Sequence, residues 1–402
     1  MLRGFRYRFY PTPEQEALLR RTLGCVRLVY NKALHARSEA WTSAKKSIGY
    51  VAQSRDLTAW KKLPELSFLN EVSCVPLQQT LRHLQVAYTS FFAKRTKYPG
   101  FKRKSRGGSA EFSRSAFRLD GDALTLAKMD SPLNIHWSRP LPKGAEPSTV
   151  TVNLDASGRW HVSLLCEDKS IKALPKVSAA IGLDMGITSL VTLSTGEKIA
   201  NPKHDARELK RKRILSRRLS HKTKGSKNRD NARQKLARLH ARVADRRRDH
   251  LHKLSTRLVR ENQAIVVEDL NVRGMVKLRS LARAISEAGW SELVRQLEYK
   301  SGWYGRTLIK VDRFFPSSKT CGACGCIVER LPLHMRHWTC PSCSVEHDRD
   351  INAARNILAA GLAVARKGEV CGPGVSQRVL RNAVQSGLKQ KNLRAISGIP
   401  SL

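Results

Sequence analysis

Four cysteines in the last third of the chain form two pairs with the spacing of a metal site. Cys321 and Cys324 are separated by two residues, as are Cys340 and Cys343, and 15 residues lie between the pairs. Two residues between paired thiolates let both reach one tetrahedral ion from a tight turn. The spacing therefore predicts a closed, structural Zn²⁺ site. Cys326 is a competing ligand, although only one residue separates it from Cys324.

Three separated acids form the second candidate site. Asp184 ends the run AAIGLD, Glu268 ends the run AIVVE, and Asp350 opens a helical pattern. An acid at the end of a buried strand loses hydration and needs a cation or a hydrogen-bonding partner. Carboxylates suit Mg²⁺ or Mn²⁺, and two such ions can clamp the attacking and leaving oxygens of a phosphodiester. The spacing leaves Asp269 and Asp348 open as alternatives, and a helix cap is the other role for Asp350.

Periodicity places both candidate sites in a mixed α and β chain. Alternation in RGFRYRFY predicts a strand at the N-terminus, and helical spacing follows to about residue 94. Further strands are predicted at 116–119, 123–126, 149–154, 160–166, within 179–200, at 264–267 and at 308–315. Further helices are predicted within 203–260, at 281–303 and at 351–365, with Gly225-Ser226 as the tip of a helical hairpin.

Charge indicates the class of partner. The 402 residues include 74 Lys and Arg against 33 Asp and Glu, a formal net charge of +41. This excess excludes an ordinary metabolic enzyme of small neutral substrates, because a polyanion is needed to offset the self-repulsion. Residues 203–260 alone hold 22 basic and five acidic residues. There is no run of 18 apolar residues and no apolar region typical of a secretory signal near the N-terminus, so we expect an intracellular protein.

The sequence resembles the TnpB family, encoded by many bacterial and archaeal insertion sequences and related to the type V CRISPR effector nucleases. The resemblance covers nearly the whole chain. Its motifs are TLGCVRLVYNKAL (22–34), YPGFKRK (98–104), IGLDMGITSLVTLS (181–194), VEDLNVRGM (267–275), WSELVRQLEYKSGWYG (290–305), VDRFFPSSKTCGACG (311–325) and HDRDINAARNIL (347–358). Several long motifs in one order are far more specific than a CxxC pair.

The resemblance implies an α+β multidomain protein with a RuvC-like, RNase H-type α/β nuclease domain. A zinc ribbon is inserted in that domain, and an N-terminal β-barrel carries an inserted helical domain. The implied bounds are 1–10 and 106–175 for the wedge-like barrel, 11–105 for the helical recognition domain, 176–315 and 346–365 for the nuclease domain, 316–345 for the zinc finger and 366–402 for a flexible basic tail.

The family's catalytic acids match Asp184, Glu268 and Asp350, and its zinc ligands match the four paired cysteines. The resemblance further implies a guide RNA derived from the transposon end and cleavage of complementary double-stranded DNA beside a short transposon-adjacent motif. Base pairing would then carry the target sequence while the protein reads a short duplex motif. The implied location is the prokaryotic cytoplasm, in association with the nucleoid.

Residues that contact nucleic acid are predicted in four segments. An amide side chain can pair with the major-groove edge of adenine, which makes Gln78 and Gln79, with Tyr50 nearby in sequence, candidate readers of the adjacent motif. For either glutamine taken alone, the pattern favours a solvated helix position over a base contact. Backbone contacts are predicted from two basic runs: Lys102, Arg103 and Lys104, and then Lys210, Arg211, Lys212 and Arg213.

Two other functions remain open at this point. The same acids would serve an RNA-independent transposase or resolvase, and the cysteines would serve a zinc-ribbon repressor. The large basic surface favours a bound RNA over the first, and three intact acids argue against the second.

Overall fold

The computed structural model describes residues 1–332 and 334–366. Its chain divides into two compact units, one formed by Met1–Ser170 and Leu215–Leu239, the other by Ile171–Ile214 and the described residues from His240 onward. The predicted C-terminal tail lies outside the described residues, except that Arg366 ends the last helix. None of the described helices is long and apolar enough to cross a membrane. The implied domain bounds remain predictions.

The first unit combines a sheet with a helical block. Its strands are β1 (Leu2–Phe9), β2 (Gly108–Ser113), β3 (Phe117–Asp120), β4 (Ala123–Leu126), β5 (Ile135–His136), β6 (Pro147–Leu154) and β7 (Trp160–Glu167). Its α-helices are α1 (Pro13–Ala44), α2 (Tyr50–Trp60) and α3 (Cys74–Phe92), with 3₁₀ turns at Pro64–Asn70, Lys104–Arg106 and Arg114–Ala116.

Five strands form an antiparallel sheet in the order β2-β6-β7-β1-β5, and β3 pairs with β4 as a separate hairpin. The predicted N-terminal strand is present as β1, and its alternation buries Phe5, Tyr7 and Phe9 on one face. Among the described residues no pairing joins edge strands β2 and β5, so closure into a barrel remains a prediction. Leu77 and Leu81 of α3 share one hydrophobic core with the sheet.

The second unit contains strands β8 (Ala180–Asp184), β9 (Ser189–Leu193), β10 (Lys198–Ala200), β11 (Ala264–Glu268), β12 (Thr307–Val311), β13 (His337–Thr339) and β14 (Glu346–Asp348). The remaining helices are α4 (His204–Arg207), α5 (Leu209–Ser220), α6 (Lys227–Glu261), α7 (Val272–Met275), α8 (Ala282–Ala288), α9 (Trp290–Tyr304) and α10 (Arg349–Arg366). Residues of α5 and α6 are divided between the two units.

The sheet of the second unit has the order β10-β9-β8-β11-β12. Strands β8, β9 and β10 are antiparallel, whereas β11 runs parallel to both β8 and β12. The four residues 264–267 of β11 are all fully buried, which is typical of a parallel strand covered on both faces. The parallel arrangement brings the carboxyl ends of β8 and β11 to the same edge.

Helix α10 lies close against this sheet. A Cβ on Gly182 of β8 would lie 2.2 Å from the backbone oxygen of Ala354, and one on Gly361 would lie 2.3 Å from Val266 Cγ1. No side chain fits at either glycine without moving the helix or the strand. These contacts fix the depth of α10 on β8 and β11, and thereby the position of its first turn.

Two predicted elements differ from the structure. The strand predicted at 308–315 ends at Val311, because the Asp312 carboxylate accepts the Phe314 N–H at 2.8 Å and the chain turns. The helix predicted at 281–303 is divided at Gly289, whose φ of +71° lies in the left-handed region that interrupts a helix. The helical hairpin is confirmed, with Gly225 between α5 and α6.

Candidate functional site

Strand register sets Asp184 and Glu268 side by side. Leu183 pairs with Val267 in the parallel ladder, so the next residue on each strand is one of the two acids. Asp350 lies in the first turn of α10, the helix that packs on β8. All three carboxylates are half-buried. Two strand ends and one helix start therefore bring together acids that are distant in sequence.

The charges of these acids act on one another. Burial, together with the negative charges of Glu268 and Asp350, raises the pKa of Asp184 to about 7, against the lowering effect of Arg349 and Arg336. Burial also raises the pKa of Glu268, while a hydrogen bond from Ser317 lowers it. Such a cluster favours a shared proton or a bound cation.

The two alternative acids are occupied elsewhere. Asp348 pairs with Lys198 at 2.7 Å and accepts hydrogen bonds from the backbone N–H groups of Asp350 and Ile351, so Asp348 caps α10. These contacts lower the pKa of Asp348, against the effect of burial. Asp269 pairs with Arg313 at 2.5 Å. The geometry favours Asp350 and Glu268 for the cluster, although their catalytic role remains a prediction.

The four paired cysteines converge. Their sulfur atoms all lie within 4.8 Å of one another. The Sγ–Sγ distances are 3.6 Å for Cys321 to Cys343 and 3.6 Å for Cys324 to Cys340. A disulfide needs about 2.05 Å, whereas Zn–S bonds of about 2.3 Å in a tetrahedron separate the sulfurs by about 3.8 Å. The donor set therefore fits Zn²⁺.

Cys326 contributes to the same turn through its backbone. Its carbonyl oxygen accepts the Cys321 N–H at 2.8 Å, and its sulfur is not one of the four that converge. Burial, together with neighbouring Cys340 and Cys324, raises the pKa of the Cys326 thiol. His347 lies in contact with the cluster, its Nε2 atom 3.0 Å from Cys321 Sγ.

The carboxylate set is wider than the cysteine set. Within residues 1–332 and 334–366, the cysteines are the only group of three or more His, Cys, Asp or Glu residues whose ligand atoms all lie within 4.8 Å. The acids therefore do not converge on one point. A wider spacing is compatible with two ions about 3.5–4 Å apart.

Two asparagines of α10 join the acids to the cysteine turn. Asn352 accepts the Gly322 N–H at 2.9 Å and donates to the Thr320 carbonyl at 2.7 Å. Asn356 donates to the carbonyls of Ser317 and Thr320 at 2.8 and 2.7 Å. The Ser317 hydroxyl then donates to Glu268 at 2.5 Å.

Sequence reasoning missed Ser317, both asparagines and Arg336, which approaches Asp350 at 3.3 Å. Amides at positions i and i+4 of a helix that opens with an acid were a signal for the asparagines, since such residues share one helix face.

The predicted motif readers lie in the first unit. Gln78 is exposed on α3 and Gln79 is half-buried. The Tyr50 hydroxyl accepts a hydrogen bond of 3.3 Å from Arg82, one turn beyond these glutamines. The structure thus brings Tyr50 to the helix that carries both glutamines.

The basic runs divide into exposed and engaged side chains. Exposed members are Arg103, Lys104, Lys210, Arg211 and Arg213. Lys102 instead lies with its ammonium 4.2 Å from the centre of the Tyr30 ring, and burial lowers its pKa. Lys212 pairs with Asp205 at 2.7 Å. Five of the seven predicted side chains are therefore available to a polyanion.

Three family models match the chain. A probable transposase model of the OrfB_IS605 type matches residues 162–279, and a Cas12f1-like TNB domain matches residues 290–357. A helix-turn-helix domain model matches residues 1–46. The structure contains one strand and one long helix there, β1 and α1, rather than two helices joined by a turn.

Two relatives extend over almost the full chain. One from Streptomyces pristinaespiralis, named "Putative RNA-guided DNA endonuclease", is 60% identical over 402 residues, which cover 100% of this chain and 98% of the relative. One from Escherichia coli K12, with the same name and the suffix InsQ, is 32% identical and covers 93% and 96% of the two chains. The chain therefore belongs to the TnpB family.

The fold resembles that of a CRISPR effector. The protein in the cryo-EM structure of the Cas12f1-sgRNA-target DNA complex superposes with a TM-score of 0.53 at 14% identity, over 89% of this chain and 98% of the other. At this identity the likeness concerns the fold alone, and it agrees with the α+β architecture.

Proposed function

We propose that this protein is an RNA-guided DNA endonuclease in which Asp184, Glu268 and Asp350 form a RuvC-like cleavage site. The observation that carries the proposal is the placement of Asp184 and Glu268 at the neighbouring ends of β8 and β11 and of Asp350 in the first turn of α10, with the pKa of Asp184 raised to about 7 by burial and by the other two charges. The full-length relatives named as RNA-guided DNA endonucleases support the same activity.

The three carboxylates would hold Mg²⁺, or Mn²⁺ in its place, through oxygens that these cations prefer. When bound, such ions supply positive charge for the phosphodiester oxygens and lower the pKa of a coordinated water. Asp184 and Glu268 are fixed by strand register, and Asp350 by the packing of α10 on β8. The protein thus presents acids whose mutual repulsion Arg336 and Arg349 offset only in part, and a bound cation would relieve the rest.

The cysteine site would hold Zn²⁺ in a closed, structural role. Its contribution to cleavage is indirect, because Asn352 and Asn356 bind the chain around Cys321 and also hold Ser317, the hydrogen-bond donor to Glu268. The zinc turn would therefore support the position of one acid without touching substrate.

Guide RNA and target double-stranded DNA are the proposed partners. The net charge of +41 and the exposed basic side chains of the two runs support contact with two polyanions. A guide that pairs with DNA would carry most of the sequence specificity, leaving the protein to read backbone shape and a short duplex motif. We propose the prokaryotic cytoplasm, at the nucleoid, as the location.

Gln78 remains the better placed motif reader because its side chain is exposed, and Gln79 is the half-buried neighbour. A base reader changes preference at one motif position, whereas a phosphate contact weakens all sequences about equally. A randomised-motif depletion assay on Gln78→Ala and Gln79→Ala distinguishes these outcomes. Unchanged profiles in both variants would place the reader elsewhere.

The decisive experiment is to express the protein with the DNA that flanks its gene and to sequence the RNA that copurifies. We expect one RNA species, and we expect plasmid cleavage at sites matched to its variable end, in Mg²⁺ but not without it. Asp184→Ala is the matched control, which should bind the same RNA and leave the plasmid intact. Cleavage by RNA-free protein would favour an RNA-independent transposase or resolvase.

A further inference from the structure

Phe314 is an exposed aromatic residue on a hydrogen-bonded turn whose neighbouring residues contact Glu268 and Asp269. Its side chain is 85% exposed, the highest value among the large exposed hydrophobic residues of the described chain. The adjacent Phe315 packs against the core formed by α10 and β12. The Phe315 ring therefore contributes to the core, whereas the Phe314 ring is exposed to solvent.

Hydrogen bonds define the turn that carries Phe314. The Asp312 carboxylate accepts its N–H at 2.8 Å, and the Asp312 carbonyl accepts the Phe315 N–H at 3.1 Å. The Phe315 carbonyl in turn accepts the Ser317 N–H at 2.8 Å. An exposed ring on a fixed backbone loses little conformational freedom when it binds a ligand, which is the property of a preformed contact.

Residues on both sides of Phe314 in the sequence contact acidic residues at the end of β11. Arg313 pairs with Asp269, the residue after Glu268, and Ser317 donates to Glu268 itself. Three residues of extended chain span at most about 11 Å, so the Cα atom of Phe314 lies within that distance of the Ser317 Cα atom. A nucleotide whose phosphate lies at the acids would have neighbouring bases within reach of such a ring.

We infer that Phe314 stacks on an unpaired base of the DNA strand being cut, within one or two nucleotides of the scissile phosphate. The inference rests on the proposed nuclease function. A base is the favoured ligand because every base offers a π-face to an aromatic ring, whatever the sequence.

Stacking on Phe314 would also favour one conformation of the DNA at the cut position. A base within a duplex has both faces covered by its neighbours, so a ring can stack on it only after the base is unstacked. Phe314 would therefore favour DNA that is already single-stranded at the cut position.

An abasic scan tests the contact. Wild-type protein with its guide is given targets that carry one abasic nucleotide, moved stepwise through the cut region. We expect cleavage to fall roughly tenfold at one position, since stacking on one base stabilises by about 1–3 kcal/mol. Phe314→Ala should cut the intact target about tenfold more slowly and show no further loss at that position, whereas Phe314→Trp should behave like wild type.

Phe92→Ala is the matched control, because Phe92 is also exposed, at 73%, and belongs to the first unit. It should retain the positional loss at the abasic site. A Phe314→Ala variant that retains the same positional loss, or that cuts the intact target at the wild-type rate, overturns the inference.

Photocrosslinking separates this inference from the proposed function. Single-stranded DNA with 5-iododeoxyuridine at successive positions is irradiated with the Asp184→Ala protein, which binds without cutting. A crosslink on the peptide that contains Phe314, lost in Phe314→Ala and kept in Phe92→Ala, supports stacking even if the wild-type protein never cleaves DNA. Crosslinks found only on other peptides overturn it.

Discussion

The cysteine cluster and the carboxylate cluster of this protein are built in different ways. The four cysteines lie within 23 consecutive residues, and their sulfurs converge within 4.8 Å. The three acids come from two strands and a helix spread between Asp184 and Asp350, and their oxygens do not converge in the same way. A closed ligand set is typical of a structural ion, while a wider, charged set leaves positions open for substrate.

The two clusters therefore depend on different parts of the fold. The cysteine site is set by two local turns, whereas the acids need the β8 and β11 register and the close packing of α10 at Gly182. The carboxylate cluster is also under electrostatic strain, because burial and the charges of Glu268 and Asp350 together raise the pKa of Asp184. Substitutions can consequently remove either site while the other remains.

The largest expected effect is the loss of cleavage in Asp184→Ala. Because a metal site supplies several kcal/mol of transition-state stabilisation, the rate should fall by roughly three orders of magnitude with zinc content unchanged. The control is Asp348→Ala, which loses a helix cap worth about 1 kcal/mol and should keep cutting. An inactive Asp348→Ala beside an active Asp350→Ala would show that the wrong acid of this pair was chosen.

Cys340→Ser should act directly on the cysteine cluster and only indirectly on the acids. Loss of one thiolate from a closed four-ligand set lowers zinc affinity strongly, and the turn around Cys321 should lose order. Metal analysis should show a lower zinc content, accompanied by partial loss of cleavage through the α10 asparagines. Cys326→Ser should retain zinc, because only the backbone carbonyl of Cys326 serves the turn. Equal zinc content in both variants would count against this ligand set.

The sequence was sufficient for the parts of each cluster that depend on local pattern. Cysteine spacing indicated the zinc turn, and the apolar run before Glu268 indicated a buried strand that ends in an acid. The choice between Asp348 and Asp350 was not accessible in this way, because it depends on the pairing of Asp348 with Lys198, 150 residues away in the chain. The break at Gly289 was missed because the apolar period continues across it.

The hydrogen bond from Ser317 to Glu268 could not be predicted from the sequence either. It joins residues 49 positions apart, and a serine between Pro316 and Lys319 carries no pattern of its own. Such contacts follow from how the turn docks on α10, through Asn352 and Asn356. They become visible only when the tertiary structure is known.

The pH dependence of stability should differ in sign between two acids that lie close in the fold. The folded-state pKa of Asp184 is raised from 3.8 to about 7, so the folded protein loses stability as pH rises through this window. Asp184→Asn should therefore stabilise the zinc-loaded, Mg²⁺-free protein at pH 8, on the order of 2 kcal/mol after allowance for partial exposure, and hardly at pH 4.

Asp348→Asn is the control with the opposite sign. Its pKa is lowered in the folded state, so its stabilising contribution is present above the ordinary pKa of 3.8 and is lost as pH falls below it. This variant should be less stable than wild type at pH 8. Thermal unfolding of both variants across this range provides the measurement, and equal shifts at pH 4 and pH 8 would contradict the clustering of the three acids.

The smallest expected effect concerns Ser317, which links the two clusters. Ser317 is buried, its carbonyl is held by Asn356, and its hydroxyl donates to Glu268, where the hydrogen bond lowers a pKa that burial raises. Ser317→Ala should leave Glu268 less well oriented and more readily protonated. We expect cleavage to slow by about tenfold, in the range found for residues that orient metal ligands.

Ser317 acts as a positioning residue if its loss changes more than the rate. Because the pKa of Glu268 should rise without the hydroxyl, the acidic limb of the pH–rate profile should move to higher pH, and more Mg²⁺ should be needed for half-maximal cleavage. Ser317→Thr keeps a donor and should restore the profile. If Ser317→Ala slows cleavage while the profile and the Mg²⁺ requirement stay unchanged, the residue only packs the turn, and the two clusters are joined by Asn352 and Asn356 alone.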